Sequence, residues 1–386
     1  MTVPGADPAP GGAAGARAES LPVALLHPCF WPEVRRGGER IVHELATGLV
    51  RRGHRPRLIT SHPGRTRRTV EDGFAITRVW RPPDGRLVRR GYEDHLTHVP
   101  LSYRELARGD DRLAHAFFPT DAAAAVRWSR RTGRPAVFTY LGFANRSWLV
   151  SRRWRLDALL RAVRGSAAVT VLSHAAAASF RRDLGVDPTV IHPGVDLAAF
   201  APAAQRAPVP TIFCAAPVDA PMKRVELLIS ALPIVRRAVP EARLALLRPA
   251  DRALEQRIAA EAAGVEWVDP VSEPADLASH YRRAWVSALP SRGDSFGLVL
   301  AESLACGTPV VGSRHGAVPE VVDRPEVGRL FGRDDEHGLA AAILETLELA
   351  EDPSTASACR RRAEDFSVER SVDAQLALYR EVLCNA

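Results

Sequence analysis

Two carboxylic acids flank a short apolar segment in the stretch SRGDSFGLVLAESLACGTPVV, residues 291–311. Asp294 lies in a polar turn, and Glu302 lies eight positions later within LVLAESLA (298–305), which has the composition of a helix. Eight helical residues rise roughly 12 Å, which is too far for two carboxylates to share one metal ion easily. Because carboxylates accept hydrogen bonds from hydroxyls, the two acids suit the two ends of an extended, hydroxyl-bearing ligand.

The turn between the two acids has the features of an anion site. It comprises Ser295, Phe296, Gly297 and Leu298. The backbone amides of these residues would lie at the N-terminus of the predicted helix, where unpaired N–H groups and the helix dipole attract negative charge. Hydroxyl-binding acids on both sides of an anion site indicate a ligand with the order sugar, phosphate, sugar, as in a nucleotide sugar.

Two other interpretations of this stretch stay open from the residues alone. Asp294 could cap the helix while Glu302 faces solvent. Residues 293–297 also read GDSFG, a match to the G-x-S-x-G nucleophile elbow of α/β-hydrolases, with Ser295 as the nucleophile. Against the hydrolase, Pro290, which ends the preceding predicted strand, Ser291 and Arg292 intervene before this turn. Only two histidines follow it, and the chain has no HGGG-type oxyanion loop.

The composition is that of a globular protein. The 386 residues are 46% hydrophobic and 25% charged, and no apolar run approaches the roughly 20 residues of a transmembrane helix. The length predicts two domains. Residues 1–20 are rich in Pro, Gly and Ala without the apolar region of a secretory signal, so we expect a disordered tail.

The net charge indicates which classes of ligand the protein binds, and the cysteine content indicates its cellular compartment. The net charge of +7 favours anionic ligands. Nucleic acid is not favoured, because aromatic residues are not interleaved with the arginine pairs and no helix-turn-helix, zinc or RNP signature occurs. The five cysteines are scattered without CxxC spacing, which indicates reduced thiols in a cytoplasmic protein. We expect no metal site, since neither a D-x-D stretch nor a His/Asp cluster is present.

Predicted strands and helices alternate in two series. The first series has strands at 23–27, 57–60, 74–80, 136–141, 167–172 and 189–193 and a helix at 37–54, and the second has strands at 211–216, 243–247, 265–268, 285–290 and 308–313 and a helix at 225–239. This alternation predicts parallel sheets with right-handed crossovers, hence an α/β protein of two Rossmann-like domains that face a cleft. We place the N-terminal domain at 21–203, the C-terminal domain at 204–365 and a closing helical segment at 366–386.

The segment DSFGLVLAESLACGTPVVGSRHGAVPEVV (294–322) resembles the donor-site signature of glycosyltransferase family 4, whose members have the GT-B fold. Other segments resemble the family in the same order, namely HPCFWPEVRRGGERIVHELATGLVRRGH (27–54), VTVLSHAAAASFRRDL (169–184), VIHPGVDLAAF (190–200) and FCAAPVDAPMKRVELLISAL (213–232). The resemblance covers about residues 22–380. Abundant Ala, Arg, Pro and Gly indicate a GC-rich genome, so an actinobacterial natural-product enzyme is our expectation.

The resemblance implies roles for the matching residues on the donor side. Glu302 should hold the ribose hydroxyls, Asp294 should contact the transferred sugar, and Lys223 should pair with the diphosphate. The amides of residues 295–298 should hold sugar and phosphate oxygens. The glycine pair Gly37 and Gly38 should let backbone amides approach the donor phosphate across the cleft.

Donor-side departures from the family pattern concern two positions. Asp294 stands where the family has a glutamate, so its side chain is one methylene group shorter. Val218 occupies the slot of an arginine five residues before the lysine, and Arg224 is the candidate substitute.

The acceptor side departs further. Phe117 and Leu141 stand where the family often has histidines, which leaves His115 as the candidate catalytic and acceptor-binding histidine, or else as a core residue. The segment 89–106 is a candidate acceptor loop, or a polar surface loop. Its candidate acceptor-binding residues are Glu93, Asp94 and His95.

The implied activity is a metal-independent transfer of a hexose, with retention of configuration, from a nucleotide donor that is most often UDP. We expect a small polar acceptor, such as an aminocyclitol in aminoglycoside (antibiotic) biosynthesis. The alternatives are a lipid-linked or cell-wall acceptor, with the basic helix 37–54 on an anionic membrane, a non-catalytic nucleotide-sugar-binding protein, and the Ser295 hydrolase. The segment 366–383 should cross back onto the first domain and couple closure to binding.

Overall fold

The computed structural model describes residues 20–83, 97–151, 153–204, 206–271, 273–332 and 334–386. Residues 1–19 of the predicted tail lie outside this part of the chain. The candidate acceptor residues Glu93, Asp94 and His95 also lie outside it, so their expected role stays a prediction.

The first domain is a parallel sheet with helices on both faces. Its strands are β1 (Pro22–Leu26), β2 (Arg55–His62), β3 (Arg67–Glu71), β4 (Phe74–Trp80), β5 (Leu113–Ala116), β6 (Ala136–Tyr140), β7 (Ala168–Val171) and β8 (Thr189–Val190). Its helices are α1 (Gly37–Arg51), α2 (Val99–Arg108), α3 (Pro119–Thr132), α4 (Arg146–Val150), α5 (Arg153–Gly165) and α6 (His174–Leu184). The strand order is β3-β4-β2-β1-β5-β6-β7-β8, and β3 alone pairs antiparallel.

The second domain repeats this plan. Its strands are β9 (Thr211–Cys214), β10 (Arg243–Leu247), β11 (Val265–Val268), β12 (Val286–Leu289), β13 (Val310–Ser313) and β14 (Gly328–Phe331). Its helices are α7 (Val225–Ala238), α8 (Arg252–Glu261), α9 (Pro274–Arg283), α10 (Leu298–Ala305), α11 (Val318–Val321), α12 (Glu336–Glu351) and α13 (Ser354–Glu364). The order β11-β10-β9-β12-β13-β14 is parallel throughout, which confirms the predicted α/β fold of two Rossmann-like domains.

The order of the second sheet locates a ligand cleft. From β9 the chain builds outward through β10 and β11 on one side, and it then returns to β12 on the other side. The strand order therefore switches between β9 and β12. In open parallel sheets, ligands bind outside the carboxyl ends of the strands at such a switch point.

The domains touch across this cleft. Ile41 of α1 and Leu141, which follows β6, pack against an apolar cluster that consists mainly of second-domain residues and also includes Leu172 of the first domain. The guanidinium of Arg40 in α1 donates to Glu302 of the second domain, so the edges of the cleft are in contact rather than splayed apart.

The C-terminal helix α14 (Val368–Cys384) crosses back onto the first domain. The crossing is held by the amide of Val195, which donates to the carbonyl of Phe366 across 2.7 Å, and by the amide of Val368, which donates back to the carbonyl of Val195 across 3.1 Å. Helix α14 then packs on α1. The C-terminal helix α14 is thus packed on the N-terminal domain, not on the second domain that precedes it.

Helix α1 turns its apolar face into the protein. Its apolar residues Val42, Leu45 and Leu49 are buried in the core of the first domain. This face is therefore not free to insert into lipid, and contact of the basic residues of 37–54 with an anionic membrane stays a prediction. In the part of the chain that the structure describes, no helix is both long and apolar enough to cross a bilayer.

Three strands were missed by the sequence patterns. The segment LAHA at β5 is not among the predicted strands, yet it is a central strand with all four residues buried. Strand β3 (RRTVE) is an exposed antiparallel edge, and β14 (GRLF) contains only two strongly apolar residues. Neither short strand carries enough hydrophobic alternation to stand out from a turn.

Candidate functional site

The site is built from the turns that follow β9 and β12, the two strands at the switch point. The turn after β9 contains a short 3₁₀ helix, Pro221–Lys223, and the turn after β12 contains Asp294. The ammonium group of Lys223 donates to Oδ2 of Asp294 across 2.5 Å. The two side chains that the resemblance assigns to the diphosphate and the sugar therefore meet at the mouth of the cleft.

Lys223 carries a signal that the motif comparison did not use. Of the 52 lysine and arginine residues in the chain, Lys223 is the only lysine. Lysine provides a compact point charge, whereas arginine provides a planar fork, so the two are not interchangeable at a crowded anion site. A single lysine in an arginine-rich chain therefore points to Lys223 as a functional residue.

Asp294 also organises the turn around itself. Its Oδ1 accepts hydrogen bonds from the amides of Gly297 at 3.0 Å and Phe296 at 3.4 Å. These bonds close the turn ahead of α10 but do not cap the helix, whose N-cap residue is Gly297, so the capping interpretation of Asp294 is wrong. Gly297 has φ of +92°, a conformation that suits glycine and starts α10 in the required direction.

The four turn residues lie together, as the spacing predicted. Ser295 and Leu298 are half-buried, while Phe296 and Gly297 are buried. Asp294 already bonds the amides of Phe296 and Gly297, and the amides of Leu300 and Ala301 donate to the carbonyl of Gly297. The amides of Leu298 and Val299 are therefore left at the amino end of α10 without a partner inside the helix.

A second loop holds the backbone of Asp294. The amide of Ala317 donates to the carbonyl of Asp294 across 3.0 Å. A Cβ atom at Gly316 would lie 2.7 Å from that same carbonyl oxygen, so only glycine allows the approach. The turn that begins at Gly316 therefore holds the backbone of Asp294 in place.

Glu302 is buried rather than solvent-facing, since its side chain is 1% exposed. Its Oε2 accepts a hydrogen bond of 2.9 Å from the hydroxyl of Tyr281, and its Oε1 accepts one from the guanidinium of Arg40. Burial raises the pKa of Glu302, while Arg40 and Tyr281 act in the opposite direction. The interpretation of Glu302 as a surface residue is therefore wrong.

Arg40 and Tyr281 were not recognised in the sequence. Arg40 belongs to α1 in the first domain, so its bond to Glu302 crosses the cleft. The sequence separation between the two is 262 residues, and no local pattern could report such a pair.

The glycine pair lies at the start of α1, as expected. A Cβ atom at Gly38 would lie 3.1 Å from Cδ1 of Leu141, so this position is crowded. Gly37 is exposed and has open space where its Cβ would be. Only Gly38 is therefore at a position of close approach.

Arg224, the candidate substitute for the family arginine, is engaged elsewhere. Its guanidinium donates to Asp334, which also accepts from Arg292. The two arginines lower the pKa of Asp334 against the opposing effect of its partial desolvation. Val218, in the arginine slot itself, packs against the core of the second domain.

His115 is a core residue, which contradicts the expected contact with substrate. Its side chain is fully buried in β5, and each ring nitrogen has a hydroxyl partner at 2.6 Å. The partners are Tyr379 of α14 and Thr139 of β6. Burial lowers the pKa of His115 to about 3, so the ring is neutral and ties α14 to the first sheet.

The hydrolase interpretation is not supported by the geometry of Ser295. Among the residues that the structure describes, the non-glycine positions with positive φ are Asp72 and Arg224, so Ser295 lacks the strained backbone of a nucleophile elbow. Helix α10 begins three residues after the serine. In the same described part of the chain, no hydrogen bond joins the Ser295 hydroxyl to a histidine.

Two groups of side chains have the types and spacing of metal ligands. They are His27 with Cys29 and Glu39, and His174 with His192 and Glu320. In the first group Glu39 accepts from the guanidinium of Arg36, and in the second group Glu320 accepts from the amides of His174 and Ala175. Both carboxylates are therefore already hydrogen-bonded within the protein.

Both domains match models of glycosyltransferase families. Residues 35–199 match the family described as Glycosyltransferase Family 4, and residues 209–349 match the family described as Glycosyl transferases group 1. The two matches fall on the two Rossmann-like domains.

Curated relatives agree. The D-inositol 3-phosphate glycosyltransferase of Saccharomonospora viridis is 33% identical over 216 residues, which are 50% of this chain and 50% of that protein. The protein of the same name from Mycobacterium bovis is 35% identical over 226 residues, 52% of this chain and 45% of that protein. The chain thus spans about half the length of the curated relatives it matches.

Solved structures share the whole architecture. Sucrose-phosphate synthase from Thermosynechococcus elongatus superposes with a TM-score of 0.82 at 22% identity, over 95% of this chain and 100% of that one. HepE from Anabaena, solved with UDP-glucose, superposes with a TM-score of 0.72 at 17% identity, over 95% of this chain and 100% of that one. The family matches to both domains and these superpositions agree, and the chain belongs to the family 4 glycosyltransferases and has the GT-B fold.

Proposed function

We propose that the protein is a retaining glycosyltransferase that moves a hexose from a UDP-sugar to a hydroxyl of a small cyclitol acceptor without a metal ion. One observation carries this proposal. Lys223, Asp294 and the amino end of α10 converge at the switch point, with the buried carboxylate of Glu302 one helical turn further along. This is the order of groups that a sugar, a diphosphate and a ribose require.

Glu302 is the group we assign to the ribose. A carboxylate that accepts two hydroxyl hydrogen bonds can distinguish a ribose from other ligand parts. Tyr281 fixes the orientation of the carboxylate by donating to Oε2. The donor proposal begins with UDP because HepE was solved with UDP-glucose, and a structural neighbour described as Trehalose-6-phosphate from E. coli was solved with UDP-2-fluoro glucose.

Lys223 and the α10 amides would stabilise the departing diphosphate. In the proposed step, the acceptor oxygen forms a bond to the anomeric carbon on the face from which the diphosphate leaves. The bond between that carbon and the phosphate oxygen breaks, and the leaving oxygen takes the acceptor proton. Negative charge grows on the diphosphate in this step, so fixed positive groups lower the barrier.

The acceptor proposal rests on the relatives, which are named as D-inositol 3-phosphate glycosyltransferases. A phosphorylated or amino-substituted cyclitol is small and polar, in agreement with the expectation from the sequence. A membrane-bound acceptor is less well supported, because the apolar face of α1 is buried.

Donor binding can be tested on the single lysine. An amine-selective acetylating reagent can modify only Lys223 and the α-amino group, so intact-mass spectrometry counts at most two acetyl groups, and comparison with the Lys223→Met variant identifies the one on Lys223. UDP-glucose and other UDP-hexoses should protect Lys223, and the Lys223→Met variant should lose one site. Calorimetric titration with UDP-, ADP- and GDP-hexoses should show binding that Glu302→Ala and Lys223→Ala weaken tenfold or more. If no donor binds, the proposed function is wrong.

Transfer can then be tested with inositol phosphate, inositol and an aminocyclitol, with and without anionic vesicles. We expect UDP release to depend on a soluble acceptor and to persist in the presence of a chelator. The glycosylated product should have the anomeric configuration of the donor, as determined by NMR. Tight donor binding without transfer or hydrolysis would instead identify a binding protein. Transfer only in the presence of vesicles would identify a membrane acceptor.

A further inference from the structure

Arg40 lies where the ribose of the donor must bind. Its guanidinium covers Oε1 of Glu302, and Tyr281 covers Oε2 of the same carboxylate. With 1% of the Glu302 side chain exposed, a ribose hydroxyl cannot reach the carboxylate until Arg40 moves. Donor binding to Glu302 therefore requires that an ion pair across the two domains be broken.

Breaking that pair leaves Arg40 with an unmet charge. The Arg40 side chain is only 23% exposed, so the guanidinium is a largely buried cation once Glu302 has been taken by hydroxyls. A buried charge that loses its partner is strongly unfavourable. The neighbouring acids are mostly engaged, since Asp294 is bonded to Lys223 and Glu39 to Arg36.

The donor itself brings the replacement partner. Glu302 lies four residues beyond Leu298 on α10, which corresponds to roughly 6 Å along the helix axis. Arg40 lies in the first turn of α1, two residues after Gly38. The guanidinium that now reaches Glu302 is therefore within about one helical turn of the amino end of α10, where an anion attached to the ribose would lie.

We propose that Arg40 exchanges Glu302 for the diphosphate when the donor binds, and that this exchange makes the site select nucleoside diphosphates over nucleosides. The inference rests on the proposed donor binding and goes beyond it by assigning a residue of the first domain to the diphosphate. The ion pair of the free protein blocks a ligand that carries only a ribose. A ligand that also carries a diphosphate compensates Arg40 for the lost pair.

Binding of matched ligands tests the exchange. Uridine with UDP, adenosine with ADP, and guanosine with GDP would be titrated calorimetrically into the wild type and Arg40→Met, a variant that keeps an unbranched, flexible side chain but removes its charge. We expect Arg40→Met to bind the preferred nucleoside more tightly, because Glu302 is unblocked. We expect it to bind the diphosphate about tenfold to a hundredfold more weakly, the loss of one charge-assisted contact. The preference for the diphosphate should thus collapse.

Further variants make the result specific. Arg51→Met removes the same charge from the exposed, far end of α1 and should leave the preference unchanged. If Arg40→Met does not fold because Glu302 is left buried alone, the comparison moves to Glu302→Gln with and without Arg40→Met, in which no lone charge is buried. The double variant should still show the weaker diphosphate binding. Arg40→Lys, which keeps the charge, should recover part of the preference.

The outcomes separate this inference from the proposed function. If Arg40→Met strengthens nucleoside and diphosphate binding by the same factor, Arg40 only blocks Glu302 in the free protein and does not contact the diphosphate. In that case the Arg40 side chain moves elsewhere on binding, for example to Glu44 one turn along α1, and the proposed exchange is wrong. Unchanged affinities would also overturn it. If the wild type and every variant bind none of the diphosphates, the proposed function fails and the inference fails with it.

Discussion

The ammonium group of Lys223 lies 2.5 Å from Oδ2 of Asp294, and this contact joins the turns that follow β9 and β12. The pair therefore connects the two halves of the second sheet at the point where the strand order switches. Asp294 at the same time bonds the amides of Phe296 and Gly297 through its other oxygen. One carboxylate thus sets the position of both the cation and the start of α10.

The first prediction is that Lys223→Arg is not a conservative change. The larger, planar guanidinium cannot take the place of a compact ammonium beside Asp294 without displacing the turn. We expect transfer activity to fall by at least about tenfold, and by about a hundredfold or more in Lys223→Met, which removes a stabilising charge outright. Steady-state kinetics with a UDP-hexose would measure both losses. Wild-type activity in Lys223→Arg would mean that only net charge matters at this position.

The second prediction concerns Tyr281→Phe. The variant leaves Oε2 of a buried carboxylate without its donor, which should cost about 1–3 kcal/mol of unfolding free energy. Burial already raises the pKa of Glu302 above its ordinary value of 4.5, and loss of the hydroxyl should raise the pKa further. A folded carboxyl group with a raised pKa keeps its proton while the unfolded chain releases it, so stability falls as the pH rises from about 4.5 through the folded pKa.

Urea denaturation at pH 5 and pH 8 would measure this effect. Tyr281→Phe should lose more stability than the wild type between the two pH values. In a Tyr281→Phe/Glu302→Gln double variant the extra loss should vanish, because no carboxyl group titrates there. The same pH dependence in the single and double variants would assign it to another group.

The third prediction is that His115 makes the first domain sensitive to acid. In the unfolded chain its pKa is near 6.5, and in the folded protein burial lowers the pKa to about 3. Between these values the unfolded chain binds a proton that the folded protein does not, so stability falls as the pH falls from about 6.5 towards 3. From pH 7 to pH 5 the cost is roughly 2 kcal/mol from this one group.

His115→Gln is the matched variant, since an amide can bond the hydroxyls of both Tyr379 and Thr139 without titrating. Between pH 7 and pH 5 its urea midpoint should shift less than that of the wild type. Equal shifts in the two proteins would show that the histidine is not the source of the acid sensitivity.

The local parts of the site could be predicted from the sequence because they come from one contiguous segment. The turn at 293–297 is followed directly by the apolar run LVLAESLA, so the pattern of polar and apolar residues predicts the bounds of the helix. Helix α10 begins and ends at these predicted bounds. Asp294 and Lys223 were assigned separately by motif, and the adjacency of β9 and β12 then brings them together.

The non-local parts could not be predicted in the same way. Glu302 is paired with Arg40, which belongs to the other domain and lies 262 residues away in the sequence. His115 was ambiguous because its strand, LAHA, is too short and too rich in alanine to reveal that it is central in the sheet. Whether a histidine faces a core or a cleft is decided by strand order and by α14, and neither is a property of the neighbouring residues.

The fourth prediction tests the contact that holds α14 on α1. A Cβ atom at Gly48 would lie 2.4 Å from Cγ2 of Val372, which is 1% exposed and, as a β-branched residue, has few alternative rotamers. Gly48→Ala should therefore destabilise the protein by about 1–3 kcal/mol, even though alanine favours a helix more than glycine does. Val372→Ala alone should cost roughly 2 kcal/mol through the cavity that it creates.

The double variant Gly48→Ala/Val372→Ala should be more stable than the sum of the two losses implies, because the new methyl group occupies the space that the valine vacates. Urea denaturation of the four proteins closes this cycle. Strictly additive losses would mean that the two helices adjust independently of this contact. Helix α14 is the segment that returns from the second domain. Donor affinity measured on the same four proteins would show whether the packing of α14 on α1 also affects donor binding in the cleft. We expect Gly48→Ala to weaken donor binding and the double variant to recover it, because a displaced α14 shifts α1 and, with it, Arg40.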